Sequence, residues 1–441
     1  MKRLLLVSYF FPPASGGGVA RALSFARYLP LHGWQVTVLC AESESAPLSD
    51  PSRETRLPTG VEVIRVPMPP GLARGRRAVA GGSGGRPSGI FAAARSLSRW
   101  LLVPDSYAPW RAGAVRGAEA RIQRGGITAV LTTSPPDTAH LVGLGLERPG
   151  GPPWIADFRD PWIGLAYRRP PTPLHAARQR RMRDAVLSRA SLVLATTRAS
   201  CDDIRAQLPP ESRSKVHHLP NGWEADVTLP PAREEGSPAG GAGGGPLRVV
   251  YTGTLWGVPA TRTCFVGLAR ALAASPASGR ALEVAIAGPH ETRERKLASD
   301  LGLSGSVHFL GQVPYAESRS LQAAAGVLLL LQVHGSGYEA AIPGKLYEYV
   351  ASGRPILAFL PLECEAADLV RACGGWVVGP ADERGAEEAF ARLLGGERPG
   401  GDSPERLSIA DAHRRDRLAV RLALLLDALV TRPAGAASGR R

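Results

Sequence analysis

Leu4 to Val7 is a continuous apolar run closed by turn residues, and the order of the segments after it narrows the fold more than any other feature of the chain. A short run without alternation suits a parallel strand covered on both faces. A glycine-rich loop comes next. Val19 to Leu31 then carries Leu23, Ala26 and Leu29 at helical spacing, with Gly33 where a glycine cap ends a helix. Gln35 to Cys40 reads as a second strand. Strand, loop, helix and strand in this order open a doubly wound α/β domain. Val61 to Val66, Ala129 to Thr132, Trp154 to Asp157 and Leu192 to Ala195 supply further strands. After a run of Pro, Gly, Ala and Glu the pattern restarts, with strands at Leu247 to Tyr251, Leu282 to Ala287, Val307 to Leu310 and Val327 to Leu331.

The fold class is therefore α/β, with two Rossmann-like doubly wound domains. The length of 441 residues agrees, because a single core stops growing at about 250–300 residues. Residues 1–229 form the first domain, 230–246 a linker, and 247–405 the second domain. Residues 406–432 are largely helical and 433–441 a disordered tail. Gly71 to Ser88, rich in Gly, Arg and Ser, reads as a mobile loop.

Composition bounds the partners. With 53 Lys and Arg against 39 Asp and Glu, the net charge of +14 attracts phosphates, anionic lipid or nucleic acid without choosing among them. Five scattered cysteines without a C-x-x-C pair argue against a disulfide framework or a zinc knuckle and for reduced thiols. The apolar run after Lys2 and Arg3 is stopped by Pro12 and Pro13, so it reads as a buried strand and not as a signal peptide. No apolar run reaches the ~18 residues of a membrane span, which leaves only peripheral membrane contact.

Three segments carry groups suited to chemistry. In Phe11 to Arg21, the glycines between strand and helix let a backbone approach a phosphate, and free amides at the helix start favour negative charge. A plain turn, a dinucleotide fingerprint and a diphosphate or acceptor loop all fit this pattern; the fingerprint lacks a third glycine, since Arg21 stands there. In Asp157-Phe158-Arg159-Asp160-Pro161-Trp162, carboxylates at a strand's C-terminal end face the crevice where such folds bind ligands. Either Asp157 or Asp160 is placed to take a proton from an attacking hydroxyl, while Arg159 is placed equally well for a structural ion pair. In Pro343-Gly344-Lys345-Leu346-Tyr347-Glu348, Lys345 and Glu348 are three apart and share a helical face. Lysine neutralises a diphosphate and a carboxylate accepts from a ribose diol, although a surface ion pair has the same spacing.

Taken together, these segments resemble the pattern of glycosyltransferase family 4 and its relatives of GT-B fold. Tyr9-Phe10-Phe11-Pro12-Pro13, Gly33-Trp34, Tyr251-Thr252-Gly253, Phe309-Leu310-Gly311 and the Pro343 to Tyr349 run stand in the family's order, over most of residues 1–380. The Asp157 to Trp162 run resembles a subgroup. The resemblance implies an acceptor-binding first domain and a second domain that binds a nucleotide-diphosphate sugar as substrate, with chemistry between them. It implies that Gly17, Gly18 and Gly253 line the donor site, that Lys345 meets the diphosphate, and that Glu348 holds the ribose. Arg262 stands in for the basic residues the family carries after the first strand of its second domain. The Asp157 to Asp160 turn falls where many relatives place a catalytic-site histidine. The family's first glutamate falls on Ala340, one step from Glu339. The last helix is expected to cross back to the first domain.

The same resemblance implies retention of configuration, no metal and no cofactor, and a glycan or lipid-linked acceptor in polysaccharide or glycoconjugate biosynthesis. Arg168, Arg169, Arg178, Arg180, Arg181 and Arg183, with Leu174 and Met182, are placed to touch anionic membrane, so the expected location is the cytoplasm or the inner face of the plasma membrane. A sugar-nucleotide epimerase of the same fold, a nucleotide-dependent oxidoreductase and a non-catalytic basic module are the alternatives. No nucleic-acid motif accompanies the charge, so no nucleic-acid partner is expected.

Overall fold

The computed structural model describes residues 1–14, 17–42, 57–69, 100–164, 169–225, 246–255, 258–274, 281–290, 292–332, 340–401 and 403–431. The proposed linker, the loop from Gly71 to Ser88, Glu339, Arg168 and the tail lie wholly or almost wholly outside the described residues. The chain divides into two compact units, Met1–Asn221 with Arg415–Arg441, and Gly222–Arg414.

In the first unit β1 (Lys2–Ser8), β2 (Trp34–Ala41), β3 (Glu62–Val66), β4 (Ala129–Ser134), β5 (Trp154–Phe158), β6 (Leu192–Ala195) and β7 (Val216–His218) pair in parallel in the order β3-β2-β1-β4-β5-β6-β7. The α-helices described before Asn221 are α1 (Gly17–Tyr28), α2 (Trp110–Gln123), α3 (Thr138–Leu146), α4 (Pro173–Arg189) and α5 (Arg198–Ala206). Leu4 and Leu6 lie in one apolar layer and Leu5 and Val7 in the other, which is why β1 is apolar at every step from Leu4 to Val7. Gly33 closes the turn after α1 with φ of 81°, a left-handed conformation that glycine adopts without strain.

The second unit repeats the plan. Its strands β8 (Leu247–Thr252), β9 (Leu282–Ala287), β10 (Val307–Gly311), β11 (Val327–Leu331), β12 (Ile356–Phe359) and β13 (Trp376–Val378) run parallel in the order β10-β9-β8-β11-β12-β13. The helices are α6 (Ala260–Ala274), α7 (Thr292–Asp300), α8 (Tyr315–Ala324), α9 (Gly344–Ala351), α10 (Glu365–Ala372), α11 (Glu383–Leu394) and α12 (Pro404–Ala412).

The helical segment from residue 406 divides between the units, which corrects the expectation of one piece packing on the first domain. Arg406 in α12 is buried and donates to the carbonyls of Tyr349 and Val350 at 2.8 and 2.9 Å, capping the C-terminus of α9 where positive charge is favoured. α13 (Arg415–Thr431) belongs to the first unit, where Leu418, Leu422 and Leu426 pack with Leu4, Leu6 and Trp34 and Asp427 accepts from Trp34 Nε1 at 2.7 Å. The first unit likewise ends at Asn221, not 229. Arg21 holds the carbonyls of Leu219 and Pro220, whereas Trp223 bonds to Ala410 and His413 in the second unit.

Candidate active site

Open parallel sheets bind ligands beyond the carboxyl ends of their strands, at the place where strand order reverses. That place is β1/β4 in the first unit and β8/β11 in the second.

In the first unit Gly17 opens α1 directly after the loop at the end of β1. Gly18 admits nothing larger than hydrogen without adjustment: a Cβ there would stand 3.3 Å from Arg159 Nη2 and 3.4 Å from the Phe10 ring. Arg159 is buried across the start of the helix and donates to the Ser134 and Pro135 carbonyls at the end of β4. Asp157 sits opposite Thr133 in register, wholly buried. Arg21 reaches it from α1 with two parallel bonds, Nε to Oδ2 at 2.9 Å and Nη2 to Oδ1 at 2.8 Å, and Thr133 Oγ1 donates to Oδ2 at 2.7 Å. Burial works against the charge, but the Arg21 guanidinium, these hydrogen bonds and the field of Arg159 hold the carboxyl below the usual carboxylate range. A carboxylate so engaged, without solvent access and with a depressed pKa, is unsuited to accept a proton. In the structure Asp157, expected from the sequence as one of two catalytic candidates, ties β5 to α1. Asp160 is half-buried and lines a groove with Phe158, Trp162, Arg183, Leu187 and Asp203. His140, buried beside Phe158, is held neutral by desolvation, its pKa pushed down to about 3.

In the second unit three glycines end adjacent strands. The N–H of Gly253 bonds to the Ala287 carbonyl at 2.8 Å, and that of Gly288 bonds to Gly311 at 2.6 Å. Gly253 has φ of 125°, and a Cβ there would stand 2.5 Å from Lys345 Nζ, so the glycine leaves room for the lysine head. Lys345 lies in the first turn of α9, whose N-terminus has no side-chain cap. Its Nζ donates to the Tyr251 hydroxyl at 2.9 Å and lies 4.0 Å from the centre of that ring. Burial pushes the ammonium below the ordinary lysine range, and the fields of Tyr349 and Glu348 oppose the shift. Glu348 is one turn on, its side chain 15% exposed. Tyr315 donates to Oε1 at 3.1 Å and Gln322 to Oε2 at 3.3 Å. The structure thus brings Gly253, Lys345 and Glu348 into one neighbourhood. Arg262 is 68% exposed and 3.9 Å from Glu383 at the start of α11, with no hydrogen bond or ion pair joining it to the other three among the described residues.

Residues 16–222 match the family described as Glycosyl transferase 4-like domain, and residues 246–395 match Glycosyl transferases group 1. Solved structures agree. Sucrose-phosphate synthase from Thermosynechococcus elongatus is 17% identical over 97% of this chain and 99% of its own, with a TM-score of 0.62. Anabaena HepE in complex with UDP-glucose is 15% identical over 97% and 100%, with a TM-score of 0.61. WaaG, a glycosyltransferase involved in lipopolysaccharide biosynthesis, is 18% identical over 96% and 99%, with a TM-score of 0.56.

The chain belongs to the family 4-like glycosyltransferases of GT-B fold. No curated protein matches it at a significant level. In this glycosyltransferase Glu339, one step from the position where the resemblance expects the family's first glutamate, lies outside the described residues. Tyr315, Arg319 and Gln322, which surround Glu348, carry no local sequence signal, and the Tyr251-Thr252-Gly253 run does not by itself announce the bond from Lys345 to Tyr251. The residues in these contacts stand 26 to 94 positions apart. Arg21 was visible only as the residue that breaks the dinucleotide pattern.

Proposed function

We propose that the second unit binds a nucleotide-diphosphate sugar, with Lys345 and the uncapped amides of α9 on the diphosphate and Glu348 on the ribose. The observation that carries this reading is the pairing at one strand-order reversal of a cation bonded to the Tyr251 hydroxyl and a carboxylate bonded to Tyr315 and Gln322 with Arg319 behind it, each with bonding capacity left. A bound diphosphate compensates the desolvation of Lys345, and the leaving group is met by the lysine and the helix terminus without a resident metal. Gly253 supplies the close approach, and Gly17 and Gly18 line the acceptor side with Asp160, the more accessible of the two aspartates. The reaction transfers the sugar with retention to a glycan or lipid-linked acceptor.

The test is thermal unfolding against a panel of nucleotides and nucleotide sugars. A ligand at a hundred times its dissociation constant adds about 2.7 kcal/mol of stability. Lys345→Ala is expected to unfold at the temperature of the parent and to lose the ligand-induced shift; a retained shift removes the donor site from this helix.

For the acceptor we infer peripheral contact with anionic membrane through α4. Arg178, Arg180 and Arg181 are exposed there, Leu174 is 76% exposed, and the half-exposed Trp100 stands edge-on to His175. Met182 was expected on this surface but packs against the core. Among the described residues no helix is long and apolar enough to cross a membrane. Co-sedimentation with vesicles containing phosphatidylglycerol is expected, weakened by Leu174→Ser and by salt; no binding at low salt would sink the inference.

A further inference from the structure

Glu348 is approached from one face of α8. Tyr315, Arg319 and Gln322 stand at i, i+4 and i+7 and so project to the same side. Tyr315 takes Oε1, Gln322 Nε2 takes Oε2, and Arg319 Nη1 lies 3.7 Å from Oε2. Arg319 also donates to Gln322 Oε1. That bond decides the amide's orientation: with its oxygen turned to Arg319, its nitrogen is directed at Glu348 and at Thr252 Oγ1, 2.9 Å away on the strand end beside Gly253. Arg319 is only 3% exposed, and its Nε and Nη2 find no protein acceptor among the described residues. A buried guanidinium with unused donors is unfavourable to the fold taken alone; an apolar side chain of similar volume would serve packing better.

We propose that Arg319, acting through Gln322, is a positioning residue for the donor site. It sets the direction of the Glu348 carboxylate and provides the positive charge behind it, so that the remaining lone pairs meet the ribose hydroxyls of a nucleoside diphosphate. This rests on the reading of Glu348 as the ribose-binding group. Arg319 itself does not touch the ligand. A purely structural arginine alters stability and affects all nucleotides alike. A positioning arginine alters the discrimination between ribose and deoxyribose.

The experiment measures dissociation constants of UDP, GDP and ADP and of their 2′-deoxy and 3′-deoxy forms by titration calorimetry on the full chain, with unfolding temperature recorded for each variant. In the parent, loss of a hydroxyl that bonds to the carboxylate is expected to weaken binding about tenfold or more. Glu348→Ala should abolish that ratio. Arg319→Met should bring the ratio to within about twofold while leaving deoxynucleotide affinity where it was, and Arg319→Lys should restore part of it. An unchanged ratio in Arg319→Met beside a lost ratio in Glu348→Ala overturns the proposal and leaves the donor-site reading standing. An unchanged ratio in Glu348→Ala, or no binding of any of the three ribonucleotides, overturns both. Should Arg319→Met fail to fold, Gln322→Met removes the relay instead, and an unchanged ratio there is equally fatal.

Discussion

In the first unit Asp157 and Arg21 meet below the strand-order reversal in two parallel bonds, and Thr133 and the Leu219 and Pro220 carbonyls take up their further capacity; in the second, Lys345 and Glu348 stand at the equivalent reversal and take their direct hydrogen bonds from neutral groups. The first pair is shut away from solvent, 0% and 5% exposed. The second is partly open. Both regions put opposite charges at the crevice end of a parallel sheet, so location alone does not separate a structural carboxylate from a working one. Saturation does. A carboxylate locked to a guanidinium by two parallel bonds and shut from solvent holds the chain together, while Lys345 and Glu348, whose direct hydrogen bonds come from hydroxyls and an amide with Arg319 standing 3.7 Å behind the carboxylate, keep capacity for something not yet bound.

The sharpest way to break this contrast is Asp157→Asn. It leaves Arg21 buried without its partner and is expected to lower stability by about 3–5 kcal/mol in urea unfolding at pH 7. The depressed pKa sets the sign of the pH dependence. The unfolded aspartate titrates near pH ~3.9, and the folded one lower, so the contribution of Asp157 is complete above about pH 4 and is lost as pH falls through the folded value. The gap between variant and parent should therefore narrow in acid. A variant of full stability that has lost turnover would return Asp157 to the chemistry. Gly253→Ala comes next, expected to lose about 1–3 kcal/mol from its left-handed backbone and to weaken nucleotide binding by displacing Lys345. Gly33→Ala has a similar backbone, φ of 81°, but no atom within 4 Å of the new methyl, so calorimetry should find its nucleotide affinity unchanged. Arg262→Ala is the smallest effect, a stability change within about 0.5 kcal/mol for so exposed a side chain. A large loss of donor affinity in that variant would place Arg262 in the site beside Lys345.

Much of the scaffold was legible in the chain. β1, β2, β9 and β11 announce themselves because strands covered on both faces are predominantly apolar, and Gly33 and Gly253 mark the turns that end elements. The strands β7, β12 and β13 escaped notice; β7 and β13 have only three residues, too few to show a period. The site was legible only as a set of residue types. Lys345 and Glu348 share a helix and so share a face, but whether a carboxylate is spent or available depends on partners that local pattern does not reveal. Arg21 lies 136 positions from Asp157, and Tyr315 lies 33 from Glu348.

The place of α13 has a consequence for biosynthesis. Leu418, Leu422 and Leu426 wall the apolar layer that contains Leu4 and Leu6, so a nascent chain emerging from the ribosome carries an unfinished first unit throughout synthesis of the second. Until residues near 426 leave the exit tunnel, that layer is open to misassociation, and the half made first is the half completed last.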